Sequence, residues 1–357
     1  MDKWDTGPER AGRFLVTMSE LAQSLNLSTS TVSRALTRPE MVAPETLERV
    51  LAAVKANGYR LNGIAQSLRT RKTKSVGLIV SDIMNPFYSA IVRAVEGVAA
   101  SNGYSVIVCN ADENAEKEDE ALWVLAERQV AGIIHAATGA NLETLRALRG
   151  RGIAIVCFDR ISGLEDTDAA LVDNVEGARA ATRHLLALGH RLVATIAGPD
   201  RLTTGRDRLR GFRDILEEEG LVVDEAYIER GDFRRESAYA AATRLLSLPV
   251  PPTALFVANN EMLIGALDAI RERGVTIPSE LSIVSFDDVP WAGYVEPPLT
   301  VVAQPTEQIG RTAAELLFRR LEGDDAPKTV VLMPVLRERG STAPPGADAR
   351  EEVMRRD

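Results

Sequence analysis

The first 74 residues place their apolar side chains at helical spacing in three short segments. Apolar positions that recur every three to four residues mark the buried face of an amphipathic helix. Asn26-Leu27-Ser28 separates the first two segments by the length of a helix-turn-helix turn, and Asn26 can take the left-handed conformation that such a turn often needs. Pro44-Glu45 begins the third helix and Asn57-Gly58 ends it. The predicted core positions are Leu21, Ala22, Leu25, Val32, Ala35, Leu36, Leu47, Val50, Leu51 and Val54.

From Ser75 onward, short β-branched runs alternate with amphipathic helices. This alternation predicts parallel sheet covered by helices on both faces. About ten strands and about nine helices are too many for one sheet, so we predict two similar doubly wound lobes. Ligands of such sheets bind beyond the carboxyl ends of the strands, here the cleft between the lobes. The strand-like runs are SVGLIVS, YSVIVC, AGIIHA, IAIVCF, RLVATIAG, TALFVAN, LSIVSFDD and TVVLMPVL.

Charge divides the chain in the same place. Residues 1–74 carry 12 Lys/Arg and 7 Asp/Glu, a net charge of +5, whereas the whole chain is −9 and residues 75–357 are therefore −14. A basic head on an acidic body is expected when one end meets phosphate. No apolar run approaches the ~20 residues of a membrane span, and MDKWDTGPERAGR has no signal-peptide core. We expect a cytoplasmic protein whose basic end binds DNA.

Candidate enzyme chemistry is sparse. Cys109 and Cys157 lie in apolar runs and are predicted to be buried thiols in a reducing compartment, and His184 and His190 are interpreted as structural. No cluster has metal-ligand spacing, and neither GxGxxG nor GxxxxGK[ST] occurs. No catalytic residue, metal or cofactor is therefore predicted, and a non-enzymatic function is expected.

The start of the second helix carries the candidate DNA contacts. Ser28 should cap this helix and can also reach phosphate. Thr29 and Ser30 occupy its exposed start, where side chains reach base edges, and Arg34 follows one turn later. A cap without any DNA contact is the alternative, but the basic three-helix unit favours DNA binding. The predicted set here is Ser28, Thr29, Ser30, Thr31, Ser33 and Arg34.

Polar and aromatic residues follow the predicted strands of the body. Carboxylates and amides accept hydrogen bonds from hydroxyls, guanidinium groups donate to adjacent oxygens, and aromatic rings stack on the C–H face of a sugar. Each residue alone is more typical of a cap or turn, but together they favour a binding site. The groups are residues 82–88, 158–160, 198–206, 232–233, 258–261 and 286–288.

The stretch from Val16 to Val80 resembles the DNA head, hinge and first core strand of the lactose-repressor (LacI/GalR) family. The resemblance continues to about residue 342 through DIMNPFY, FDR, LVDN, HLLALGHR, AGP, TTGRDRLRGF, GDF, VANNEM, SIVSFDD and PPLTVVAQP. It implies an all-α helix-turn-helix head and hinge helix, joined to an α/β core of two doubly wound parallel-sheet lobes like those of periplasmic binding proteins. It also implies an allosteric repressor that binds a palindromic operator as a dimer, in the bacterial cytoplasm and associated with the nucleoid through DNA.

The resemblance sets the expected domain boundaries. A tail without heptad leucines favours a homodimer over a tetramer. The terminal extension is expected to be disordered, with Trp4 packing on the head as the alternative. The expected parts are 1–13 (disordered extension), 14–60 (DNA-binding head), 61–74 (hinge helix and linker), 75–342 (effector-binding core) and 343–357 (disordered tail). Within the core, the N-lobe comprises 75–172 and 303–328, and the C-lobe 173–302 and 329–342.

Residues 61–70 resemble the family's hinge helix, which folds only on the operator. Leu68 stands where a leucine from each subunit wedges a central base step of the minor groove, and the unstacking costs a few kcal/mol, offset by contacts to bent DNA. The alternative is a linker residue that packs on the core. Many members have Pro where this chain has Leu61. The predicted hinge contacts are Asn62, Ala65, Leu68 and Arg69, and a basic tether continues to Lys74.

The family's effector positions carry over to the body. Arg206 and Asp287 resemble the main polar ligands, supported by Asn259 and Asp159. The other carried-over positions are Phe87 and Phe233, which would stack on a ring, and Arg160 and Thr204, which would set selectivity.

The type of effector follows from two positions. The purine-binding branch typically carries Arg where this chain has Leu202, and it lacks the arginine found here at Arg206. A carbohydrate-like effector is therefore favoured, with a purine or other metabolite as the alternative. Asn260 stands where Asp is common, which changes the charge of the pocket. Whether the effector is an inducer or a corepressor is open, as are its identity and the operator sequence.

Two other classes of protein share such a body. A transport-type sugar-binding protein would need an export signal and would have no basic head. An enzyme with a doubly wound core should turn over a substrate, but no cofactor motif supports it. A sugar-responsive regulator accounts for both the head and the body.

The hinge assignment makes a prediction about Leu68. Replacing Leu68 by Ala should weaken operator binding and leave effector binding intact, because the wedge touches only DNA. Gel-shift titration and a ligand-induced thermal shift measure the two affinities. Unchanged operator affinity would contradict the hinge assignment.

Overall fold

The computed structural model describes residues 16–57 and 73–346, and the chain divides into two units at Arg71. The predicted hinge contacts Asn62, Ala65, Leu68 and Arg69 lie outside the described residues, as do 1–15 and 347–357. The first unit contains helices α1 (Met18–Leu25), α2 (Thr29–Thr37) and α3 (Pro44–Asn57), with a short 3-10 helix at Pro39–Met41.

Local hydrogen bonds set where the head helices begin and end. Thr17 and Glu20 form a reciprocal capping box at α1, and Asn26 ends that helix at φ 55°, confirming the predicted left-handed turn. The Ser28 side chain caps α2 by accepting from the Thr31 backbone N–H at 3.1 Å. The core contains the fully buried Leu21, Ala22, Val32, Ala35 and Val50.

One predicted core position of the head is wrong. Leu51 is 50% exposed, whereas its neighbour Val50 is fully buried. Successive residues of a helix are rotated by about 100°, so both cannot occupy the middle of one narrow buried stripe.

The second unit alternates strands and helices, as the sequence predicts. Its strands are β1 (Ser75–Val80), β2 (Ser105–Asn110), β3 (Gly132–His135), β4 (Ala154–Phe158), β5 (Asp168–Val172), β6 (Val193–Ala197), β7 (Ile228–Arg230), β8 (Ala254–Val257), β9 (Ser282–Phe286), β10 (Thr300–Ala303), β11 (Thr329–Leu332) and β12 (Val335–Arg337). Its helices are α4 (Pro86–Ser101), α5 (Ala115–Glu127), α6 (Leu142–Gly150), α7 (Asn174–Ala187), α8 (Thr203–Glu218), α9 (Arg235–Leu245), α10 (Asn260–Glu272) and α11 (Thr306–Leu321).

Two six-stranded sheets form the two lobes, which confirms the predicted fold class. The first has the order β11-β5-β4-β3-β1-β2 and is parallel throughout. The second has the order β12-β10-β9-β8-β6-β7, with only β12 antiparallel to its neighbour. Helices α4 and α11 cover one face of the first sheet and α5 and α6 the other; α7 and α8, and α9 and α10, cover the second sheet in the same way.

The strands absent from the sequence prediction are β5, β7 and β10. Each has a physical reason to be inconspicuous: β5 begins with a charged residue, β7 has three residues of which two are charged, and β10 lies between prolines. The run TVVLMPVL, expected to be a single strand, is divided at Pro334, which cannot donate to a ladder.

Because of this division, the boundary between the lobes differs from the predicted one. Thr329–Leu332 pairs with β5 in the first sheet, whereas Val335–Arg337 pairs with β10 in the second. Assigning all of 329–342 to the second lobe was therefore wrong. The chain passes between the lobes after β5, after β10 and between β11 and β12.

The ordered core extends past the expected start of the tail. The backbone N–H of Ala343 donates to Ser282 Oγ at 3.0 Å, and the Ala343 carbonyl lies 2.9 Å from His190 Nε2. Residue 343 therefore belongs to the core. His190 also contacts Thr253, which supports the structural interpretation of this histidine.

The two cysteines differ in burial. Cys157 is buried as predicted, but Cys109 is partly exposed because β2 is an edge strand, so its predicted burial was wrong. No helix within the described ranges is long and apolar enough to span a membrane.

A buried carboxylate anchors the start of β5. Asp168 is fully buried and accepts from Arg319 Nη2 at 2.8 Å, Arg320 Nε at 2.6 Å and the Lys328 backbone N–H at 2.5 Å. These bonds hold the end of α11 and the segment that leads into β11 against the first sheet.

Replacing Asp168 by Asn should lower the free energy of unfolding by about 2–4 kcal/mol, because two guanidinium groups lose their buried partner. Denaturant unfolding of the full chain measures the change. The matched control is Asp325→Asn, since Asp325 is largely exposed and lies 3.9 Å from Arg320; its effect should stay below about 1 kcal/mol. Equal effects of the two substitutions would contradict the anchoring role of Asp168.

Candidate functional site

The carboxyl ends of the two sheets enclose a cavity of about 240 Å³. Seven of the eight predicted effector residues line it, drawn from separate loops and helix starts of both lobes. They are Phe87, Asp159, Arg160, Thr204, Phe233, Asn259 and Asp287. Four more lining residues belong to the strand-end groups that the sequence singled out: Asp82, Asn85, Tyr88 and Glu261. The lining residues that the sequence prediction did not include are Asp112, Glu113, Arg208, Arg234, Arg235, Glu236 and Gln304.

The prediction for Arg206 was wrong, and Arg208 takes its place. Arg206 is exposed, whereas Arg208 is 3% exposed and lines the cavity. Two residues along a helix differ by about 200°, so these arginines point to opposite sides of α8. The helical repeat carried the signal, because Arg208 shares a face with the buried Thr204 and Phe212 at spacings of four residues.

Arg208 is fixed by several contacts. Its Nε donates to Asn174 Oδ1 at 2.8 Å, its Nη1 donates to the Ala258 carbonyl at 2.6 Å, and its guanidinium lies 3.8 Å from the ring centroid of Phe286. Burial lowers the pKa of Arg208, and the charge of Asp287 opposes that shift. A guanidinium stays protonated in proteins, so the second lobe places a buried cation at the cavity wall.

Arg160 forms a buried network in the first lobe. Its Nη2 lies 2.6 Å from Glu113 Oε1 and its Nη1 lies 2.7 Å from Oε2, a bidentate pair. Nη2 also donates to the Tyr88 hydroxyl at 3.1 Å, and Nε lies 3.2 Å from Asp159 Oδ2. The network fixes the orientation of the carboxylate and the ring that face the cavity.

Burial changes the ionisation of this network. It raises the pKa of Asp159, with Arg160 opposing and Asp287 adding to the shift. It also raises the pKa of Tyr88 well above the ordinary value, with Arg160 opposing. Tyr88 is therefore a neutral hydroxyl that can donate a hydrogen bond, and it donates to Asp159 at 3.3 Å.

Backbone strain is concentrated around the cavity. Eight described residues other than glycine have positive φ, and five of them line the cavity: Asp112, Glu113, Asp159, Phe233 and Asp287. Asp tolerates this conformation, but a bulky residue such as Phe233 does so only when its surroundings impose it. Such strain is typical of functional sites.

Hydrogen bonds and a cation–π contact cross the cleft between the lobes. Asn85 and Asn260 exchange amide hydrogen bonds of 3.1 and 3.0 Å, and both side chains are buried. Arg234 Nη2 donates to the Asp112 carbonyl at 2.6 Å, and the Arg160 guanidinium lies 5.5 Å from the Phe233 ring centroid. The structure therefore shows the lobes drawn together around the cavity.

The candidate DNA-contacting side chains lie at one end of α2. Ser28, Thr29, Ser30 and Arg34 are exposed, Thr31 and Ser33 are partly buried, and Arg34 Nε donates back to the Ser30 carbonyl at 3.3 Å. The Ser28 hydroxyl lies 2.8 Å from those of Ser30 and Thr31. The exposed hydroxyls and the guanidinium form one polar surface, while the opposite side of α2 packs in the head core.

A helix-turn-helix head followed by a two-lobed, ligand-binding core defines a class of transcription regulators that respond to small molecules. Residues 17–62 match the model for bacterial regulatory proteins of the lacI family, and residues 182–342 match a periplasmic binding protein-like domain. The chain is 35% identical to the HTH-type transcriptional repressor PurR of Proteus mirabilis, over 92% of this chain and 97% of that protein.

Solved structures agree with this assignment. The chain resembles a lac repressor dimer bound to operator and the anti-inducer ONPF, with a TM-score of 0.80, 27% identity and coverage of 92% of this chain and 99% of that one. A complex of the regulator CelR with cellobiose gives a TM-score of 0.69, 32% identity and coverage of 91% and 99%.

The chain belongs to the lacI family of bacterial regulatory proteins. It is a DNA-binding transcriptional repressor and not an enzyme.

The amide pair across the cleft makes a prediction. In a double-mutant cycle of Asn85→Ala and Asn260→Ala, the two side chains should couple by about 1 kcal/mol or more, because either single change leaves a buried amide without its partner. Denaturant unfolding of the four proteins measures the coupling. The cycle also removes the separate contribution of Asn85, which caps α4 through the Phe87 N–H. Additive effects would show that the amides do not hold the lobes together.

Proposed function

We propose that this repressor binds a palindromic operator as a homodimer and that a small polyhydroxylated molecule in the cleft controls its affinity for DNA. The head would contact DNA through Ser28, Thr29, Ser30, Thr31, Ser33 and Arg34. The hinge positions Asn62, Ala65, Leu68 and Arg69 would contact the minor groove. The cleft would hold the effector.

The observation that carries the effector proposal is the composition of the cavity. Its wall combines carboxylates, amides, the Arg208 guanidinium and aromatic rings from both lobes. These groups suit vicinal hydroxyls and the apolar face of a sugar ring. Its volume lies below the roughly 300–1,000 Å³ usual for drug-sized ligands, which favours a molecule of about one ring. The similar CelR structure, which contains cellobiose, supports the carbohydrate class.

A purine-type effector is the second candidate. Relatives that carry the name PurR favour it, and the exposure of Arg206 removes one of the two sequence arguments against it. The aromatic geometry favours the carbohydrate instead. Phe87 and Tyr88 meet edge to face at 81°, and the Phe233 ring already faces the Arg160 guanidinium, so these three rings do not form a flat slot.

Control of DNA binding would operate by linkage. An effector that contacts both walls binds the closed arrangement of the lobes better than an open one, so it shifts the population toward closure. In a dimer, this shift changes the spacing of the two heads and hinge segments. Operator and effector then change each other's affinity by the same factor, typically 1–3 kcal/mol.

A thermal-shift screen of the full chain tests the effector class. Pentoses, hexoses, sugar acids, sugar phosphates and purines are compared, because a ligand at a hundredfold its Kd stabilises the folded state by about 2.7 kcal/mol. Stabilisation by one sugar class is the expected result. Stabilisation by purines alone would replace the proposed effector with the second candidate.

Two arginines on opposite sides of α8 provide a matched pair of variants. Arg208→Ala should abolish the effect of the screened ligand on operator affinity, because a buried donor at the cavity wall is lost. Arg206→Ala should leave that effect unchanged, because its side chain faces solvent. Operator titrations with and without ligand measure the response, and a melt of each variant confirms folding. A folded Arg208→Ala protein with a normal response would contradict the site.

A further inference from the structure

The cavity is acidic. Its lining carries seven carboxylates and four guanidinium groups, a formal charge of −3 when all are ionised. A site that selects a phosphate or carboxylate ligand has the opposite balance. The charge of the wall therefore distinguishes among polyhydroxylated ligands that its hydrogen-bonding groups alone would accept.

The arginines of the wall neutralise only part of these carboxylates. Arg160 pairs with Glu113 and Asp159, Arg234 pairs with Asp112, and Arg235 pairs with Asp268, which is outside the cavity. Among the described residues, the carboxylates of Asp82, Glu236, Glu261 and Asp287 form no ion pair within 4 Å. Of these, Asp287 partly balances the charge of the buried Arg208. Negative charge therefore remains on the cavity side of the wall.

Two of these carboxylates belong to different lobes. Asp82 follows β1 in the first lobe, and its Oδ1 accepts from the Met84 backbone N–H at 2.9 Å. Glu261 lies in the first turn of α10 in the second lobe. Burial raises the pKa of Glu261, the negative charges of Asp82 and Asp287 raise it further, and the Arg235 guanidinium opposes the shift. Closing the lobes thus brings like charges together, which opposes closure unless a positive group lies between them.

An unsatisfied buried hydroxyl also indicates that this wall binds a ligand. Thr204 is 1% exposed, and its Oγ1 has no hydrogen-bond partner among the described residues although it lines the cavity. Leaving a buried hydroxyl unsatisfied costs about 1–3 kcal/mol, so a polar atom of the ligand is expected there. The ligand must then offer a hydrogen-bonding group to Thr204 while it faces the acidic wall.

We propose that the effector is an aminated polyol of about one ring, such as an amino sugar, whose protonated amine lies between Asp82 and Glu261. The inference rests on the proposed function and narrows it. An ammonium group donates three hydrogen bonds, and its positive charge balances the two facing carboxylates. The hydroxyls of the polyol hydrogen-bond with the neutral and guanidinium groups of the wall. Sugar phosphates and sugar acids are excluded by repulsion.

A matched series of sugars tests the proposed positive charge of the effector. Isothermal titration of the full chain compares glucose, galactose and mannose with their 2-amino-2-deoxy derivatives and their uronic acids, with adenine, guanine and hypoxanthine alongside. At least one amino sugar should bind about tenfold or more tightly than its neutral parent, and no uronic acid should bind.

The outcomes distinguish a failure of the proposed amine from a failure of the proposed function. If a neutral sugar or a uronic acid binds as tightly as the corresponding amino sugar, the proposed positive charge of the effector is wrong. The proposal of a polyol effector is then retained. Binding of a neutral sugar with proton uptake, seen as a dependence on buffer ionisation enthalpy, also overturns it, because the carboxylates are then neutralised by protons. Binding of a purine alone, or of no member of the panel, counts against both the charge and the proposed function.

Single neutralising variants locate the amine. Asp82→Asn and Glu261→Gln should each weaken binding of the amino sugar at least tenfold without weakening that of its neutral parent. A merely structural role would weaken both sugars together, which would overturn the assignment. Glu143→Gln, at an exposed carboxylate on α6, is the control and should change neither affinity.

Discussion

The arrangement of the core depends on a buried guanidinium, that of Arg208. Burying a cation is unfavourable unless it is hydrogen-bonded and faces negative charge, and both conditions are met where the second sheet ends. Asn174 and the Ala258 carbonyl take two of its donors, the Phe286 ring lies against its face, and Asp287 supplies the charge. These partners lie on α7, after β8 and at the end of β9, so one side chain couples three segments of the second lobe.

The first lobe contains a similar network around a buried arginine. Arg160 is held by Glu113, Tyr88 and Asp159, again at the carboxyl ends of parallel strands. Each lobe therefore holds a buried arginine within a network that fixes its carboxylates and rings. Preorganised polar groups of this kind reduce the ordering cost of binding. The positive-φ residues that line the cavity are consistent with groups positioned for binding at the expense of local stability.

Three passages of chain join the two lobes, and their course limits how the lobes can move. The first lobe follows the DNA-binding unit in sequence, yet it is completed by α11 and β11 from the far end of the chain. The lobes therefore cannot move without bending all three connections together, which suits a hinge-like change between two packed units. The contacts that cross the cleft, such as the Asn85–Asn260 pair, stabilise the arrangement in which the lobes are drawn together.

The sequence by itself determined the class of fold, the three-helix head and most residues of the cavity, because hydrophobic periodicity and strand-end chemistry are local signals. It also carried, in the helical repeat, the distinction between Arg206 and Arg208 that motif matching missed. Only the tertiary structure decided that β5, β7 and β10 are strands, that Pro334 divides the last run between two sheets, and that Glu113 and Arg234 line the same cavity. Short edge strands and charges brought together from distant segments depend on packing partners far away in the chain, and no local pattern specifies those partners.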